Sequence, residues 1–429
     1  MINLPDSSKL QFQFPKSLQT ICLVLIIVGV VMTLAQLFIT EDAHHGETPV
    51  EQVGGTEHDA GMAGEVTEED HGWSNPRFFF SIHLALLIAI PLGLGGIYFT
   101  AFNHVSGAAW SVTIRRLAEN SFWYVFVVLF LTVIVLIGVG DVFHHWVHAP
   151  ETDELIAHKS GWLNVPRFVI TNLLLPLIWI LFGFIFWKKS TTQDQDGDVR
   201  HTRKLARFGA GFLVIFGLSY SISSWDLGMS LEPHWFSTLW ALYFFAGLAL
   251  TTFAVLILWV WYLKRNGYYG DVVNENHFHD LGKFMFGHTI FWAYMAVSQY
   301  MLIWYSHIPE EITFFHSRNQ GAWWYVSVFL VILRFVLPFF LLVKREWKRN
   351  YNYMAIISVL VLVGQIVDMY WILYPTMHHG DFIPFFWQEV GPLLFVFGSY
   401  VLVVGKMLER QQLIPVKDPR LEECLHFHQ

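Results

Sequence analysis

Charged side chains are scarce in this 429-residue sequence: Asp, Glu, Lys and Arg make up 14% of it, where soluble domains carry about 25%. That shortage argues against an ordinary solvent-facing surface. Cysteine is nearly absent, with Cys22 in an apolar run and Cys424 in the polar C-terminal tail. Two thiols make a disulfide framework improbable and are too few for an iron–sulfur cluster held by this chain alone. The sequence has no C-x-x-C-H haem attachment site, no Walker A motif and no dinucleotide-binding glycine motif. The net charge of −8 resides in the connecting segments, and no nucleic-acid partner is expected.

Apolar runs take the place of the missing charge. Hydrophobic residues make up 54% of the chain, and runs almost free of charge reach the roughly 18 to 20 residues that a helix needs to cross the hydrocarbon. They fall near 19–39, 79–101, 121–140, 165–187, 208–225, 235–263, 283–305, 322–343, 353–374 and 385–407. The pattern predicts an all-α polytopic membrane protein with ten transmembrane helices. The first run is about as long as a full span, and no small-residue cleavage site clearly follows it. It reads as a retained helix rather than a signal peptide.

Basic residues give the spans a direction, because cytoplasmic loops are enriched in Lys and Arg. One set of alternate connections holds Arg115 and Arg116, Lys188 to Arg207, Lys264 and Arg265, and Lys344 to Arg349, with Lys9, Lys16, Lys406 and Arg410 on the same side. The other set holds only Arg77, Lys159, Arg167 and Arg318. Both termini are therefore expected in the cytoplasm, which requires an even number of spans.

Two outer connections are long enough to make contacts. The loop 40–78 is rich in Gly, Glu and His, from Glu41 to the run Glu68-Glu69-Asp70-His71. It reads as a mobile segment, with no recognisable rigid frame for a metal. After the third span come Asp141, His144, His145, Trp146 and His148, a cluster suited to docking an extrinsic protein or to anchoring at the interface. A short echo precedes spans two and four: Gly72-Trp73-Ser-Asn75-Pro76-Arg77-Phe78 and Gly161-Trp162-Leu-Asn164-Val-Pro166-Arg167-Phe168. It reads either as repeated entry chemistry, with Pro at the helix start and Trp at interface depth, or as a trace of helix-pair duplication.

Polar groups at membrane depth carry more information than surface charge. Arg334 lies near the middle of span eight, where a charge costs roughly 2.5–3.5 kcal/mol on insertion scales. Span nine offers a partner in Asp368, which shares a helical face with Gln365 three residues earlier. An Arg334–Asp368 pair is expected, either structural or poised for proton exchange. Gln299, Glu389 and His288 are further candidates along a polar route; His288 reads equally as a histidine bonded to a carbonyl. His83 begins span two from the outer side. Pro91, Pro176 and Pro338 fall within spans and permit bends.

The connection after span five reads Ser221-Ile-Ser-Ser224-Trp225-Asp226-Leu-Gly-Met-Ser230-Leu-Glu232-Pro233-His234-Trp235-Phe236-Ser237-Thr238. Bare, it is a short outer turn with two carboxylates, a His and two Trp at interface depth, and Glu232 stands where a helix N-terminus favours negative charge. The stretch closely resembles the M-S-L-E-P-H-W-F-S-T signature of the membrane subunits of alternative complex III. Those complexes are bacterial quinol:electron-acceptor oxidoreductases related to the NrfD/PsrC family. The ten-span plan, the long first outer loop and the Trp-Asp before the signature look like the shorter, ActF-type subunit.

That resemblance implies two four-helix bundles, spans two to five and six to nine, between a first and a last flanking helix. The chain then divides into a cytoplasmic segment 1–18, a flanking helix 19–39, a periplasmic loop 40–78 and a first bundle 79–225. A second bundle with its entry loop, 226–374, precedes an outer loop and last flanking helix, 375–407, and a cytoplasmic tail, 408–429. By resemblance the chain holds no cofactor itself and sits in the bacterial inner membrane. Its implied partners are a paralogous NrfD-like membrane subunit, an iron–sulfur subunit, multihaem and monohaem cytochrome c subunits carrying haem c, and a terminal oxidase. Menaquinol or ubiquinol is the implied substrate of the complex.

The leading expectation is a membrane subunit that supports assembly and moves protons through Arg334, Gln365, Asp368, Gln299 and Glu389. Two alternatives stand beside it. One is direct quinol binding at an outer pocket bordered by His83, Asp226, Glu232 or His234. The other is a secondary transporter, which bent helices and midplane charges also fit.

Overall fold

A computed structural model of the chain describes residues 7–38, 75–150, 152–377 and 382–426. The acidic and His-rich run from Glu41 to His71 lies outside them. The described residues form helices and turns, and their one β-type pairing is an isolated bridge between Gln11 and Gln412.

Ten long helices carry the fold: α1 (Lys16–Ala35), α2 (Pro76–Val105), α3 (Ala109–Ile137), α4 (Val165–Asp196), α5 (Arg200–Leu227), α6 (Trp240–Arg265), α7 (Glu275–Ser306), α8 (Trp323–Leu342), α9 (Tyr351–Leu373) and α10 (Trp387–Leu408). Among the described residues, nine are long and apolar enough to cross a membrane. The protein is therefore a multi-pass, helical membrane protein. The exception is α7. Its 32 residues span about 48 Å, but Lys283, His288, Gln299 and several Trp and Tyr dilute its apolar run.

Asparagine starts four of these helices. The side chains of Asn75 and Asn164 accept the backbone N–H of Phe78 at 3.1 Å and of Arg167 at 2.9 Å, satisfying donors that the first turn leaves unpaired. Asn274 and Asn350 do the same for α7 and α9. Gly197, at φ 70°, stops α4 in the left-handed conformation that glycine adopts without penalty.

Polar contacts sort the connections into two ends. At the first, the segments before α1 and after α10 meet: Leu413 donates its N–H to Leu10 at 2.8 Å. Tyr269 between α6 and α7 donates to Lys9 at 3.0 Å. At the second end, Lys159 reaches the carbonyl of Pro233 at 2.6 Å, and His145 meets the carbonyl of Thr376 at 3.1 Å. Nearly all Lys and Arg of the connections lie at the first end; the four expected at the opposite end do lie there.

Glycine sets the closest helix contacts. α2 is buried along most of its length and touches α3, α4, α5, α6, α9 and α10. A Cβ on its Gly95 would fall 1.9 Å from Oγ1 of Thr252 on α6, and one on Gly96 would fall 2.3 Å from the carbonyl of Ala118 on α3. α1 packs mainly on α10. There a Cβ on Gly29 would stand 2.6 Å from the amide nitrogen of Phe395, and one on Gly398 would stand 3.1 Å from the carbonyl of Cys22. Small residues that let backbones approach are how helices associate without a hydrophobic driving force between them.

The tail after α10 folds back onto the first end. Asp418 pairs with Arg115, which also contacts Glu119 at 3.3 Å, and Arg116 pairs with Asp194. Lys417 donates to the carbonyl of Gln195 at 2.5 Å, and the Cys424 thiol donates to that of Trp110 at 3.3 Å. Burial opposes the charge on Asp418, but Arg115 and the Arg420 N–H outweigh it and hold the carboxyl below its ordinary range. Burial pushes the Cys424 thiol up, which keeps it in the unreactive protonated form.

A carboxyl more acidic in the folded state contributes stability above its unfolded value, about 3.9, and loses it as pH falls through the lower folded value. Maleimide labelling of Cys424 at pH 7, where the carboxylate's contribution is fully present, should therefore be slow. Asp418→Asn should raise the rate at pH 7 by about tenfold or more, since a charged hydrogen bond contributes about 1.5–3 kcal/mol. Equal labelling of the two proteins would show that the latch does not hold the tail.

Candidate functional site

Pro338 sets the local shape of α8. It has no amide N–H, and its ring crowds the carbonyl of Arg334 four residues earlier. The helix widens into a π turn over Ile332–Val336, a distortion frequent at functional positions. From that turn Nη2 of Arg334 comes within 3.0 Å of Oδ2 of Asp368 on α9, with both side chains about 1% exposed. Trp292 of α7 donates its indole N–H to the same oxygen at 3.1 Å. Tyr243 of α6 donates its hydroxyl to Oδ1. The guanidinium also lies over the Trp292 ring, 5.1 Å from its centroid, a favourable position for a cation. Four consecutive long helices thus each place one side chain on the same charge pair.

Two glycines make room for it. A Cβ on Gly364 would stand 2.9 Å from Cδ of Arg334, and one on Gly247 would stand 3.0 Å from Oε1 of Gln365 and 3.2 Å from Nη2 of Arg334. Gln365 is buried beside the pair, and among the described residues its Oε1 has no hydrogen-bond partner; nor do Nε and Nη1 of Arg334. The guanidinium faces Asp368 as an ion pair without a linear hydrogen bond. Asp368 is held by one cation and two neutral donors, so movement of the guanidinium alone would change its affinity for a proton.

The other expected route residues lie elsewhere. Gln299 shares the buried stripe of α7 with Trp292, about two turns away, and accepts from the Ser237 hydroxyl at 3.2 Å. Glu389 is fully committed at the start of α10. It pairs with Arg77 at 3.1 Å and accepts from the Tyr374 hydroxyl at 2.9 Å and the Phe386 N–H at 2.7 Å. His288 bonds the carbonyl of Phe284 in its own helix at 2.8 Å, one turn from Trp292, and lines a groove apart from Asp368.

The signature residues form separate locks at the second end. Asp226 takes a bidentate grip from Arg167 at 2.8 and 2.9 Å and a bond from Asn172 at 3.2 Å. Glu232 pairs with the buried Arg318 at 2.6 Å. Arg318 also donates to the carbonyls of Trp371 and Ile372. His234 meets Asp153 at 2.7 Å, and His83 meets the carbonyl of Leu227 at 2.7 Å. Beside them lies a pocket of about 390 Å³ walled by Trp162, Trp225, Met229, Trp235 and Phe236; none of His83, Asp226, Glu232 and His234 lines it. The Ile156 N–H, with His234 behind it, holds the Asp153 carboxyl below its usual range.

Sequence reasoning missed Tyr243 and Trp292. A tryptophan far from either end of its helix was one available signal, since membrane tryptophans gather at the interfaces. The four-residue spacing of Tyr243 and Gly247, which puts both on one helical face, was another. Compared with known proteins, the chain matches no family model and no curated protein.

Arg334→Leu should destabilise the protein by about 3–5 kcal/mol, because it strands a buried carboxylate. The double variant Arg334→Leu/Asp368→Leu should lose less than the sum of its single variants. Chemical unfolding in detergent micelles, read as a double-mutant cycle, tests the pair; additive losses would show that the two charges do not interact.

Proposed function

We propose that this chain is an ActF-type membrane subunit of a quinol:electron-acceptor oxidoreductase resembling alternative complex III, supporting its assembly and moving protons through the membrane. In this reading all ten long helices span a bacterial inner membrane and both termini are cytoplasmic. Residues 79–225 and 226–374 are its two four-helix bundles. The collection of basic residues at one end fits that orientation. The signature locks and aromatic walls at the other end fit a face that meets iron–sulfur and haem c subunits.

One observation carries the proton role: a titratable carboxylate, Asp368, buried among four helices with an arginine counter-ion and two neutral donors beside it. Intramembrane ionisable residues are costly and mark functional paths by default. Quinol oxidation releases electrons and protons together. Electrons need cofactors within tunnelling distance, which the partner subunits supply; protons need only side chains and water. The arginine can neutralise the carboxylate at one moment and release it at the next, which is what a relay requires.

Three substitutions separate the relay from a purely structural pair. Tyr243→Phe removes one hydrogen bond to Asp368 and leaves both charges, so assembly should persist with a stability loss of about 1 kcal/mol. Proton uptake coupled to quinol oxidation should then slow measurably. Asp368→Asn should reduce coupled uptake by at least about tenfold, and Asp368→Glu should restore part of it. All three variants are measured in the purified complex reconstituted in vesicles. Normal coupling in an assembled Asp368→Asn complex would remove Asp368 from the path, and failure of assembly alone in all three would leave the pair structural.

A further inference from the structure

A second cavity lies at the basic end, along α7. It is a groove of about 590 Å³ with Asp280 and Lys283 at its mouth and Trp110, Phe284, Phe245 and Phe291 along its wall, where His288 is the one polar side chain. Trp110 and Phe284 lie nearly parallel with centroids 5.7 Å apart, forming a flat apolar surface. From Asp280 to Phe291 the helix advances eleven residues, or about 16 Å. That length equals one leaflet of hydrocarbon, about 15 Å. A polar mouth at the interface with a mainly aromatic trough one leaflet deep has the outline of a single lipid.

Three details select the headgroup. Oδ1 of Asp280 contacts Nζ of Lys283 at 2.5 Å, so a cation and an anion stand side by side at the mouth. Asp280 is only 3% exposed, and its Oδ2 has no hydrogen-bond partner among the described residues. A buried carboxylate oxygen in that position needs an N–H or O–H donor. A primary ammonium supplies one and a quaternary ammonium does not. A phosphate beside that ammonium would meet Lys283, and the two charges match the mouth in order and sign.

The trough opens toward lipid at Gly287. A Cβ there would meet no atom within 4 Å, and Ile290, Tyr294 and Val297 continue the exposed apolar stripe of α7.

We propose that this groove binds one phospholipid bearing a primary amine, with its ammonium on Asp280, its phosphate toward Lys283 and one acyl chain along the aromatic wall. The inference does not depend on the respiratory role. It requires only that α7 lies in the bilayer.

The full chain, purified in mild detergent, is exposed to phosphatidylethanolamine carrying a diazirine in its acyl chain, and labelled peptides are mapped by mass spectrometry. Labelling should concentrate on residues 284–291. Unlabelled phosphatidylethanolamine should compete about tenfold better than phosphatidylcholine or phosphatidylglycerol, an affinity ratio equivalent to about 1.4 kcal/mol. Asp280→Asn should abolish that preference. Gly287→Leu, which fills open space without a clash, should remove the label while the protein still elutes as a folded species. Labelling spread evenly around the lipid-facing helices, equal competition by the three lipids, or retention in Gly287→Leu would overturn the proposal. Competition led by menaquinone would overturn it as well, assigning the groove to a redox lipid.

Discussion

The guanidinium of Arg334 cannot stand without a counter-charge inside hydrocarbon, where an unpaired cation costs several kcal/mol, and that requirement organises the second half of the molecule. Asp368 answers it from α9, and Tyr243 and Trp292 then satisfy the carboxylate from α6 and α7. Each added partner fixes the rotation of one more helix. Gly247 and Gly364 follow from the same demand, since a side chain at either would press on the pair. The π turn completes the set by presenting Arg334 from a proline-widened stretch of α8.

The same logic recurs at the second end with different members. In both echo segments the asparagine caps a helix and the arginine two or three residues later binds a distant carboxylate: Arg77 takes Glu389, and Arg167 takes Asp226. Arg318 repeats the pattern with Glu232, and Lys159 spends its charge on a carbonyl. The basic residues expected on that side are thus committed to holding connections together. An arginine fork suits a carboxylate because two parallel bonds fix angle as well as distance.

Much of this was legible in the sequence, for reasons that differ between features. Hydropathy exposed nine of the long helices because hydrocarbon demands long uncharged runs. It also located α7, although Lys283, His288 and Gln299 make that helix less apolar than the rest. The Arg334–Asp368 pair was readable because two isolated charges at similar depth have few other solutions. Tyr243 was not, since a phenol on an aromatic-rich helix looks like any other packing residue until helix rotation is known. Glu389 and Gln299 were placed on a shared route because they share depth, yet depth does not determine azimuth. Glu389 faces Arg77, and Gln299 faces Ser237. Likewise the signature looked like the border of a site, while its carboxylates and histidine are tied to Arg167, Arg318 and Asp153.

The glycine contact between α1 and α10 bears on how the chain is made. Gln36 and Gln388, joined near one end of that contact, stand 352 residues apart. During synthesis at about 5–20 residues per second, α1 enters the bilayer tens of seconds before its partner is translated. Its small-residue face must wait in lipid, or against a chaperone, with no native helix to receive it. Closing that seam is then the step that joins the two ends of the bundle, and it cannot begin until α10 has left the ribosome.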